Sequence, residues 1–162
     1  MQSVGFKEWA LVCEALGSAR QRVIIRKGGL AEKRKGFGFD HREFFLFPTF
    51  FHEQLNRIRE SNAVLPDRLA DEIEIRFFAR VQETLIITDW EEVRALEPLH
   101  ILREEVIRER FEYNNAPGVH VAFVDVFRLE PIWRLPDAKA YGGCRSWVNL
   151  PKPPDDLCLK LV

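Results

Sequence analysis

The chain has 162 residues, 46% of them hydrophobic and 30% charged, with a net charge of −1. These values describe one ordinary globular domain, 1–162, that buries about two-thirds of its unfolded surface; they exclude disordered, collagen-like and coiled-coil classes and give no global pull toward nucleic acid or acidic membrane. Thirteen phenylalanines and four tryptophans predict a core or groove built from aromatic rings.

The N-terminus, MQSVGFKEWALVCEALG, has no basic leader with an apolar run and small-residue cleavage site, and no stretch reaches the ~18 apolar residues of a membrane span. The expected location is cytoplasmic, with no membrane partner. Cys13, Cys144 and Cys158 are odd in number and lack metal-like spacing, so free thiols are expected. Charge is unevenly spread. Residues 20–42 carry Arg20, Arg22, Arg26, Lys27, Lys33, Arg34, Lys35 and Arg42 against Glu32 and Asp40, a local balance of +6, while acids gather at 67–74 and 89–97.

In chain order, Trp9, Val12, Cys13 and Leu16 recur at three- and four-residue intervals, which predicts a helix over 6–16 stopped at Gly17, with a strand as the competing reading. QRVIIRK at 21–27 predicts a strand entering a Gly28-Gly29 turn, with 29–39 as return arm and basic loop. EFFLF at 43–47 predicts a buried strand whose exit is Pro48. Thr49 is then placed to cap a helix from Phe50 to about Glu60.

Residues 61–71 read as a loop with room for one helical turn. Ile73, Ile75 and Phe77 alternate, and a second β-rich run follows at 84–88, with a turn or bulge at Gln82 and Glu83 between them. Asp89 with Glu92 resembles a capping box for a short helix, WEEVRAL, stopped by Pro98. REEVIRERF predicts another helix. VHVAFVDVFRLEP predicts a long strand closed by Pro131, and a loop over 131–143 leads to a last strand in CRSWVNL. Residues 151–162 form a proline-rich C-terminal extension. The expected class is α+β, a compact mixed or mostly antiparallel sheet or partly open barrel with three to four short helices.

GFKEWALVCEALG at 5–17, RKGGLAE at 26–32, HREFFLFPTFFHEQ at 41–54 and YGGCRSWVNL at 141–150, in that order, resemble the bacterial family catalogued as domain of unknown function 1802. Glu53 departs from the resemblance, because the family more often reads His-Gln directly where this chain reads His52-Glu53-Gln54. The resemblance implies a small bacterial protein with no established reaction and a loose restriction-modification context. It names no cofactor or substrate.

Several residue groups carry chemistry. Backbone N–H groups at Gly28-Gly29 beside Arg26 and Lys27 suit a phosphate, although no P-loop pattern is present; an ordinary hairpin turn is the alternative. His41, His52 and Glu53, with Glu32 or His120, suit metal or acid–base chemistry in a hydrolase, but HEQLN lacks the second histidine of HExxH and no metal site is assigned. Asp125 and Glu130 lack the lysine a PD-(D/E)xK nuclease needs. Cys144 beside Arg145 is a candidate activated thiol, against the commoner role of a small buried apolar residue.

The leading expectation is a nucleic-acid-binding domain, or one binding a nucleotide-like anion. Arg26, Lys27, Lys33, Arg34, Lys35 and Arg42 neutralise phosphate, Phe37 and Phe39 interleave with them, and Tyr141 and Trp147 offer stacking faces. In architecture alone the element order is similar to PUA- and ASCH-like RNA- and modified-base-binding domains. A protein-interaction module docking through 151–154 is a third reading. No cofactor or oligomeric state is assigned.

Overall fold

A computed structural model describes residues 1–27 and 38–162. Strand β1 (Val4–Trp9) passes straight into helix α1 (Ala10–Gly17), followed by β2 (Val23–Arg26), β3 (Glu43–Thr49), the long β4 (Glu72–Ile87), α2 (Trp90–Arg94), α3 (Glu104–Glu112), the long β5 (Val119–Pro136), β6 (Trp147–Asn149) and β7 (Cys158–Leu161). The strands form one mixed, unclosed seven-stranded sheet in the order β2-β5-β4-β3-β1-β6, with β7 added on β5. Only β1 and β3 run parallel among the described pairs. The α+β class expected from the sequence is the class observed, with three α-helices among the described residues.

Strand β3 explains the phenylalanine block. Successive side chains on a strand point to opposite faces, so Phe44 and Leu46 enter one core with Phe6, α1, α2, α3 and the first half of β5. Phe45 and Phe47 enter a second core with Ile75, Phe78 and Trp133. A strand buried on both faces reads as an unbroken apolar run.

Four local expectations are corrected. The helix placed over 6–16 is strand through Trp9 and helix only from Ala10, because Gly5–Trp9 pair with Phe45–Thr49 in a parallel ladder. Pro48 does not end β3; it lies opposite Glu8 in that ladder, where β4, which pairs only as far as Phe45, has already departed. Thr49 caps no helix. Its hydroxyl donates to the Glu8 carbonyl at 3.1 Å, and the helix expected over 50–60 is one 3-10 turn, His52–Asn56. Pro131 does not close β5, which runs on to Pro136. Proline is accommodated there because, between the antiparallel pairs Ile75–Trp133 and Phe77–Arg128, β5 carries the longer stretch of chain and leaves an irregular bulge.

Other readings hold. The irregularity expected at 82–83 is a register shift, although the two runs it was to separate are one strand, β4, and the Asp89 carboxylate accepts from the Glu92 N–H at 3.1 Å to start α2. Helix α2 ends at Arg94, ahead of Pro98, which sits in a separate 3-10 turn. Among the described residues no helix is long and apolar enough to cross a membrane.

Candidate functional site

Strand β1 presents chemistry on both faces. On one face the buried Phe6 ring is surrounded by residues distant in sequence: the Arg26 guanidinium lies 4.9 Å from its centroid, and Trp147, Phe44 and Phe39 stand at 4.8, 5.2 and 5.9 Å. His41 packs edge-on against Trp147 at 4.8 Å, and its Nδ1 is 2.9 Å from the Gln2 side-chain oxygen. Arg26, Phe39 and Trp147, all singled out from the sequence, therefore meet around the Phe6 ring, and His41 joins them through Trp147.

Beside that ring lies a buried charge cluster. Glu8, 1% exposed, accepts the Trp9 N–H at 2.8 Å and faces Arg26 Nη2 at 3.4 Å, which also donates to the Lys7 carbonyl. Arg110 donates to the Ile25 carbonyl at 2.7 Å and lies 5.1 Å over the Trp9 ring. Burial, and then the Arg26 charge, pull its pKa down to about 10, so it stays cationic at neutral pH. Two donors here, Arg26 Nε–H and Trp147 Nε1–H, are buried without a partner among the described residues. Burial, and then Glu8, push the nearby Cys13 thiol up, which makes it a packing residue.

The opposite face of β1 carries Lys7. It borders a groove of about 540 Å³ lined by Phe47, Phe50 and Tyr141 together with Arg68 and Lys139 against Asp71 and Asp137. Lys7 Nζ donates to the Gly143 carbonyl at 3.0 Å and forms no ion pair among the described residues. Its pKa is lowered by burial and then by the Arg145 guanidinium, with Cys144 opposing. Arg68 is neutralised by Asp137 at 3.2 Å. Lys7 is thus a half-buried cation next to a second cation. Tyr141 packs one side of its ring on Phe47 at 5.2 Å.

The remaining candidates go elsewhere. Lys27 donates to the carbonyls of Phe111, Ala116 and Gly118, which occupies all three ammonium donors. Arg42, Cys144, His52 and Glu53 are exposed. His41 and His52 flank β3 at opposite ends, a separation of roughly 20 Å for a strand of that length, so the two histidines do not converge. His120, half-buried, pairs in register with Arg26; burial and then Lys27 lower its pKa.

No cluster of three potential metal ligands occurs among the described residues. Asp125 accepts from Gln82 and Glu130 pairs with Lys160. The C-terminal extension returns to its own sheet, where β7 pairs with β5. Gly28, Gly29, Glu32, Lys33, Arg34, Lys35 and Phe37 lie outside the described residues.

Sequence reasoning missed Lys7, Glu8 and Arg110. The signal for the first two was the alternation Val4, Phe6, Glu8 against Gly5, Lys7, which a helical reading of the same segment conceals. Arg110 had no local signal, since only its tertiary contacts with Trp9 and the Ile25 carbonyl distinguish it from Arg108 on the same helix.

The unclosed mixed sheet with its inserted helices is an ASCH-like architecture. The chain is similar to two crystal structures of mutant ZmASCH protein from Zymomonas mobilis. A serine-to-alanine mutant matches at 13% identity over 92% of this chain and 88% of that one, with a TM-score of 0.50. A tyrosine-to-phenylalanine mutant matches at 14% identity over 94% and 92%, with a TM-score of 0.51. At such identity the likeness shows the fold alone. The chain itself belongs to the family described as domain of unknown function (DUF1802), whose pattern matches residues 5–158. A search of curated proteins gives no significant match.

Proposed function

We propose that this domain binds nucleic acid, or a nucleotide-like anion, in the groove beside Lys7, with phosphate received by Lys7 and Arg145 and a base laid against Tyr141. The observation that carries this reading is the Lys7 ammonium: half-buried at the groove, within the field of Arg145, bonded to a carbonyl and in no ion pair among the described residues, while Asp137 of the same groove is taken up by Arg68. Partial burial of an unneutralised cation is costly, and an anion in the groove removes that cost. Tyr141 adds a sequence-tolerant stacking face, worth about 1–3 kcal/mol per base in single-strand binders. The basic stretch with Lys33, Arg34, Lys35 and Arg42 supplies longer-range attraction that raises association rates. The ASCH-like fold is consistent with this reading.

Anisotropy of a labelled single-stranded RNA across a salt series tests it. Binding weakens steeply with salt, and Lys7→Met, which keeps the aliphatic stem, lowers affinity about tenfold and reduces the salt slope by about one. Unchanged affinity in Lys7→Met removes the groove from the reading. Unchanged affinity in the Lys33, Arg34, Lys35 triple alanine variant removes the basic stretch.

A further inference from the structure

We infer that the cavity between α2 and α3 is a binding site for a small, uncharged, planar heteroaromatic molecule that carries a hydrogen-bond acceptor, received by His100. The cavity shares no residue with the Lys7 groove, and the inference stands independently of the function proposed there. Its volume is about 310 Å³, roughly twice the ~150 Å³ cavity that admits benzene and near the lower bound of small-molecule sites. A two-ring heterocycle is the matching size.

The lining sets the ligand's charge. Trp90, Val93, Leu102 and Ile107 give apolar surface, and the charged lining residues are Arg59, Arg94 and Arg103 against Glu97, Glu104 and Glu105. Those charges cancel, and the arginines are committed. Arg59 donates to the carbonyls of Leu102 at 2.9 Å, Glu97 at 3.0 Å and His100. Arg103 donates to the Ile58 carbonyl at 2.8 Å, and Arg94 pairs with Glu91 at 3.2 Å and Glu104 at 3.5 Å. With three arginines against three glutamates the lining carries no net formal charge, which favours an uncharged ligand over an anion or a cation.

His100 sets the acceptor requirement. It is 4% exposed and lines the cavity. Its Nδ1 accepts the Leu102 N–H at 3.1 Å, so the neutral ring must carry its proton on Nε2. That N–H has no acceptor among the described residues. Burial, and then the charges of Arg59 and Arg110, bring the His100 pKa to about 4, which keeps the ring neutral at physiological pH. A ring nitrogen or carbonyl on the ligand completes the hydrogen bonding.

Benzimidazole and indole are the discriminating probes, being similar in size and shape while only benzimidazole offers a ring-nitrogen acceptor. In NMR titrations of the full chain at pH 7.5, benzimidazole shifts the His100 ring and Trp90 indole resonances saturably. It binds at least tenfold tighter than indole, about 1.4 kcal/mol, and benzoate leaves both resonances unmoved. In His100→Phe the benzimidazole advantage disappears while indole binding stays. The inference is overturned by no saturable shift with benzimidazole, by equal affinity for the two rings, or by benzoate binding as tightly. Should His100→Phe fail to fold, the wild-type ratio of the two affinities still decides.

Discussion

The amide of Gln54 caps helix α1 from 43 positions away: its Oε1 accepts the Leu11 N–H at 3.1 Å. Its Nε2 meanwhile donates to the carbonyls of Thr49 at 3.2 Å and Phe51 at 3.0 Å. Helix α1 has no side-chain cap of its own, since Trp9 stands at its N-cap position, and an unsatisfied first-turn N–H is costly when buried. One side chain, 0% exposed, thus closes the start of α1 and pins the chain leaving β3. Gln54→Leu leaves an orphan donor and two weakened acceptors, a loss of about 2–4 kcal/mol measurable by urea denaturation. Gln54→Glu keeps the acceptor for Leu11 but points oxygen at two carbonyls and buries a charge, and it is expected to cost no less. A loss under about 0.5 kcal/mol in Gln54→Leu would show the cap to be idle.

The same segment shows where sequence legibility stops. HREFFLFPTFFHEQ discloses its buried strand, because a strand inserted between two cores needs apolar residues at every position. Its polar residues are assigned by partners the local pattern does not contain. Thr49 serves the Glu8 carbonyl, and Gln54 serves Leu11, only because β3 pairs in parallel with β1, some forty residues earlier. The 82–83 bulge, the Asp89 cap and the alternations of β4 and β5 are legible because each is a local signal. Around Phe6, residue type marks Arg26, His41 and Trp147, but their convergence depends on a sheet order that departs from chain order. Lys7 stays hidden because Trp9, Val12, Cys13 and Leu16 extend a helical period back across a strand that runs into its helix with no turn residue between.

Gly17 is the last residue of α1, and a methyl group there would stand 2.1 Å from Cε1 and Cζ of Phe77. Glycine-to-alanine changes in helices ordinarily stabilise by up to about 1 kcal/mol. Here the sign reverses. Phe77 is 6% exposed and packed in the core, so it cannot swing clear without opening its own site. Gly17→Ala is expected to destabilise by about 1–3 kcal/mol, the usual range for overpacking. Adding Phe77→Leu should recover part of that loss, as a double-mutant cycle would reveal; a strictly additive cycle would mean the two side chains do not meet.

The buried His100 ring ties stability to pH. Its native pKa of about 4 lies below the ordinary 6.5, so in that window the unfolded chain binds a proton that the native ring refuses. Stability therefore rises with pH through the window. Above about pH 6.5 the ring is neutral in both states and its packing counts in full. As pH falls toward 4 the unfolded state gains about 1.4 kcal/mol per unit, a total of roughly 3 kcal/mol, and below that both states are protonated and the loss levels off. His120, lowered in the same direction by burial, adds a smaller contribution of the same sign. Urea denaturation of wild type and His100→Phe at pH 7.5 and 4.5 isolates the His100 share from the carboxylates, which titrate in both proteins; the variant should show the smaller loss on acidification. An NMR midpoint for the His100 ring near pH 4 is the direct check, and a midpoint at 6 or above would place the ring in water, outside the cavity between α2 and α3.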